Sequence, residues 1–131
     1  MINQPRPSNT ANERIARIYK RAVVTTVTGA HNAHIVEISS LGLHMTTKAG
    51  AQCGDTILVE MELERREQHL LEQPTLVIQA RIVAIKRTPA CDFYTCDFMA
   101  SLTHAQHRVV SDMVRSATFT VAPLPWLATA G

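Results

Sequence analysis

The chain has 131 residues and a mass of 14.5 kDa, one domain's worth of polypeptide with room for a single core. With 46% hydrophobic and 18% charged residues it is too apolar for a disordered chain, and no apolar run approaches the ~18 residues of a membrane-spanning helix. The net charge of +2 is too small for a general nucleic-acid binder, and 5% aromatic content argues against a platform for several stacked bases.

Residues 1–12 hold two prolines and several Asn and Ser, and read as a disordered or extended leader. Residues 13–21, ERIARIYKR, suit a turn or two of helix or an irregular arm. Charge is uneven: residues 1–21 carry +4, whereas residues 22–131 carry −2, so a basic N-terminal arm precedes a mildly acidic body. The β-branched run 22–28 reads as a strand, GAHNA as a turn, 34–38 as a second strand, SSLG as a break and 43–47 as a third strand. KAGAQCGD is a loop. In 56–63, Ile57, Val59, Met61 and Leu63 alternate with Glu60, Glu62 and Glu64, the pattern of a half-buried strand. ERREQHLLEQP is a hairpin loop with space for a helical turn. Residues 75–86 and 92–100 supply the last two strands. Thr103 and Gln106 have capping-box spacing, and Val109, Val110, Met113 and Val114 give the apolar stripe of a C-terminal helix. The tail from Ser116 has no clear period. Six short antiparallel strands and one helix suggest an all-β protein, a small barrel.

Two spacings carry chemistry. Arg17 and Arg21 form RxxxR just ahead of the first expected strand, and Glu37, Ser39 and Gly42 form ExSxxG across the turn between the second and third. Guanidinium is a rigid fork that fits phosphate oxygens, the O6/N7 edge of guanine, or a purine face. Gly42 allows positive φ and a close backbone approach, Ser39 brings a small hydroxyl, and Glu37 offers an acceptor pair for guanine N1–H and N2–H. The set matches a guanine nucleotide with exposed phosphates.

In order and separation, RIYKR at 17–21 and EISSLG at 37–42 resemble the motifs of the PilZ family, bacterial receptor domains for cyclic di-GMP. LGLHMTT, VIQARIVAIKR, FYTCDFMASL and the following helix extend the resemblance over roughly residues 13–115. It implies a six-stranded antiparallel PilZ-type barrel over 13–116, with a leader at 1–12 and a Pro-containing tail at 117–131. It further implies a non-catalytic receptor whose ligand is cyclic di-GMP, bound by Arg17, Arg21, Glu37, Ser39 and Gly42. The family has Asp or Asn where this chain has Glu37. Arg14 and Lys20 match no motif position. A protein partner that reads the bound state is expected, in a process such as motility or exopolysaccharide (biofilm) control. The alternative is a PilZ-like interaction adaptor with weak or no nucleotide binding; a single-stranded nucleic-acid barrel is a third reading, opposed by the low aromatic content.

Other signals point elsewhere. Cys91 and Cys96 lack the close spacing of structural zinc pairs, and His31 and His34 lack a carboxylate partner, so no metal and no cofactor are expected. No nucleophile elbow or Gly-rich phosphate loop is present, which argues against an enzyme. Three cysteines, an odd number, fit a reducing cytoplasm better than a disulfide framework, and Met1 to Ser8 lacks the apolar stretch of a secretory signal. Trp126 is expected to pack on the barrel, or with Leu124 and Leu127 to form a docking peptide.

Overall fold

Strand β1 (Ile15–Thr26) starts the barrel wall seven residues before the first β-branched run. The structure is a computed structural model that describes residues 15–99 and 102–116 and the backbone of 118–120. Along β1, Ala16, Lys20, Ala22 and Val24 are buried while Arg17, Tyr19, Arg21 and Val23 face outward. The helix or irregular arm expected over 13–21 is therefore corrected: residues 15–21 are strand. Lys20 hid the period of two, being a charged residue at an inward position. It is 9% exposed, and its Nζ lies 2.6 Å from Oε1 of Glu67, itself 2% exposed.

The chain then reverses at Val27 and Thr28, and residues 29–33, expected as a turn, belong to β2 (Gly29–Ile38). Threonine hydroxyls replace the usual Asn-Gly signal: Thr28 N–H donates to Thr26 Oγ1 at 3.1 Å, and the two hydroxyls share a 2.8 Å hydrogen bond. Gly29 takes φ +125°, which favours glycine. Strands β3 (Gly42–Thr47), β4 (Thr56–Glu62), β5 (Thr75–Arg87) and β6 (Asp92–Phe98) follow as expected to within a few residues. The 64–74 hairpin loop contains a short helix, α1 (Arg65–Leu71), started by Glu64 N–H donating to Glu67 Oε1 at 2.9 Å.

The strands run β2-β3-β6-β5-β4-β1, and a further β1–β2 pairing closes them into a six-stranded antiparallel barrel. Inside lie Val24, Ile35, Met45, Val59, Ile82 and Tyr94, with Tyr94 Oη accepting the Ala51 N–H at 2.8 Å. Helix α2 (His104–Ser116) has its expected capping box: Thr103 N–H donates to Gln106 Oε1 and Gln106 N–H to Thr103 Oγ1, both at 3.1 Å. It buries Val109, Val110 and Met113 and packs on α1, β1 and β2. Strand β7 (Thr118–Thr120), from the segment expected as tail, pairs with Ile15–Arg17 of β1. Residues 1–14 and 121–131, and with them the expected leader, Arg14 and Trp126, lie outside the described residues. No helix among the described residues is long and apolar enough to cross a membrane.

Candidate functional site

The alternation of β1 points Arg17 and Arg21 to the same outer face, with Tyr19 between them. Arg21 is 74% exposed and touches Glu62 at 3.6 Å, a surface pair of little strength. Arg17 is exposed and forms no ion pair among the described residues. Among the described residues neither guanidinium has a strong partner. β1 carries one extra residue relative to β2 between Arg17 and Lys20, a bulge of the kind that re-aims side chains.

Across the β1–β2 ladder Arg17 stands opposite Glu37, and across β2–β3 Glu37 stands opposite His44. Residues directly opposite share a face, so the first arginine and the glutamate come together, whereas Arg21 stands four residues along β1, opposite His34. Glu37 is 0% exposed although it lies on the outer face. Its Oε1 is 2.7 Å from His44 Nδ1. Its Oε2 is buried with no hydrogen-bond partner. The row continues from His44 to Thr95 of β6, whose Oγ1 is also buried and unpartnered. Leaving such atoms unsatisfied costs about 1–3 kcal/mol each, a penalty that a bound donor can remove.

Ser39 and Gly42 close the β2–β3 turn. Ser39 N–H donates to the Gly42 carbonyl at 2.9 Å, and Leu41 N–H to Ser39 Oγ at 3.2 Å. The role read for Gly42 changes. Its φ is not positive, and a Cβ there would lie 2.1 Å from the Cys96 carbonyl oxygen. The glycine admits the neighbouring strand β6, not a left-handed turn.

The sequence reading omitted His44, Thr95, Tyr19 and the Lys20–Glu67 pair. The Glu37–His44 contact crosses a bulged hairpin, with a register shift between Ile35 and Glu37, so spacing alone does not reveal it. Of the two cysteines weighed as ligands, Cys91 is half-buried in a turn and Cys96 is 1% exposed in the core. Burial, helped by nearby Asp97, pushes the Cys96 thiol up to about 12.

No family model matches the sequence, and no curated protein matches it. Among solved structures, the PilZ domain with c-di-GMP of YcgR from Escherichia coli aligns with a TM-score of 0.63 at 11% identity, over 81% of this chain and 89% of that one. The chain has the PilZ fold. A second structure of this kind, the Bacillus subtilis inhibitor of motility MotI/DgrA, aligns with a TM-score of 0.59 at 14% identity, over 79% of this chain and 49% of that one. In this PilZ barrel the two motifs sit on β1 and on the β2–β3 turn, joined by the Arg17–Glu37 register.

Proposed function

We propose that the protein is a non-catalytic receptor for cyclic di-GMP, with Arg17, Arg21, Glu37, Ser39 and Gly42 forming the site. One observation carries the reading: outward Arg17 faces Glu37, whose Oε2 is a buried acceptor without a donor, and Arg21 shares that face. The arginines clasp phosphate and guanine edges, and Glu37 accepts from a guanine N–H. The Arg21–Glu62 contact is weak enough for a phosphate to displace. The YcgR domain that aligns with this chain, solved with c-di-GMP, supports the ligand class.

Binding neutralises the charge on β1. Lys20, on the inward side of the same segment, ties β1 to α1 through Glu67. A shift of the arginine segment therefore reaches the α1–α2 surface, which a protein partner reads.

The second reading, an adaptor with weak or no nucleotide binding, has its own observation. Glu37 is fully covered and already engaged by His44, and its side chain is one methylene longer than the family's Asp. Calorimetric titration with cyclic di-GMP separates the two. Binding by the wild type, abolished in Arg17→Ala/Arg21→Ala, establishes the receptor. No heat with the wild type, and binding gained in Glu37→Asp, establishes the adaptor.

A further inference from the structure

Tyr19 is 73% exposed at a strand position where sheet packing asks for no aromatic ring. A scattered exposed apolar side chain is ordinary, but this one is held. Its ring stacks on His34 with centroids 4.8 Å apart and planes 14° from parallel. His34 sits opposite Arg21 on the neighbouring strand. One face of the ring is backed and its orientation set, while most of its surface meets solvent. Arg17 and Arg21 lie two residues away on either side, roughly 7 Å along a strand, and point the same way. Two grooves meet at this residue. One, of about 220 Å³, includes Arg17, Lys20 and Glu67; the other, of about 300 Å³, includes Arg21, His34 and Glu62.

We infer that Tyr19, backed by His34, is a stacking platform for one purine base of the bound nucleotide, an affinity-determining contact that rests on the cyclic di-GMP reading above. An aromatic face flanked by two guanidiniums matches a base with a phosphate at each side. The ring supplies dispersion to the base face, so the stacked base does not depend on charge alone. The arginines and Glu37 keep the task of holding the phosphates and the base edge. Base–aromatic stacking typically changes affinity by about five- to 150-fold on truncation.

The test is titration of cyclic di-GMP into the wild type and the Tyr19→Phe, Tyr19→Leu and Tyr19→Ala variants, with thermal unfolding of each as a check on folding. The side chain is exposed, so the unfolding midpoints should stay together. Tyr19→Phe should bind within about twofold of the wild type. Tyr19→Leu, of similar bulk but without a π face, and Tyr19→Ala should each lose about tenfold or more. Wild-type affinity in Tyr19→Leu overturns the platform while the receptor reading stands. No binding by the wild type overturns the receptor reading and the platform with it.

Discussion

Gly42 shows how a motif residue answers to a neighbour in the fold. Any Cβ at this position meets the Cys96 carbonyl 2.1 Å away, and that atom is backbone, so strand β6 would have to move. Gly42→Ala should cost about 1–3 kcal/mol in a urea titration, with no ligand present. A midpoint equal to the wild type's would mean that the β3–β6 region yields more easily than its pairing implies. Thr95 leads to the opposite expectation. Its hydroxyl is buried without a partner, so Thr95→Val should leave the unliganded protein equally stable or slightly more so. A loss above about 1 kcal/mol would show that the hydroxyl has a partner in solution.

At the level of elements, the buried Lys20–Glu67 pair fastens β1 to α1. Removing one charge strands the other in the interior. Lys20→Met should therefore destabilise by about 3–5 kcal/mol, while Lys20→Met/Glu67→Leu recovers most of that loss. Additive losses in this double-mutant cycle would refute the coupling. The same pair explains what the sequence concealed. In β4 the inward side chains are all apolar and the outward ones include Glu60 and Glu62, so the strand is legible from alternation alone. In β1 an inward lysine breaks the pattern, and its partner is 47 residues away. Helix α2 was legible because Thr103 and Gln106 cap it locally; α1 was legible only as space for a helical turn, because it spans two turns and its buried residue is a glutamate. The site divides along the same line. The arginines and the turn can be read along the chain, whereas Glu37–His44 and Tyr19–His34 exist only through cross-strand register.

For the whole molecule, closing the sheet buries two weak acids. Burial raises the Cys96 thiol from an ordinary 9.0 to about 12, and burial is also the main cause that raises the Tyr94 hydroxyl. The unfolded chain releases these protons first as pH rises. Stability is therefore fully present below about pH 9 and falls between about 9 and 12. Urea midpoints measured across that window should decline in the wild type and decline less steeply in Cys96→Ala, once its lower starting stability is subtracted. Equal slopes would place the titration elsewhere. In the folded protein near neutral pH, a thiol alkylating agent should modify exposed Cys53 and spare Cys96.

The tight seat of Gly42 also separates two kinds of selection. A library randomised at positions 17, 21 and 42 and sorted for folded protein alone should return glycine at 42 and a broad mixture at the two arginine positions, which face solvent. Sorting for ligand capture should narrow 17 and 21 as well. In a barrel that has lost its nucleotide, the glycine of the turn would persist as a relic of architecture while the arginines drift, so the pair on β1 is the better witness to a working receptor.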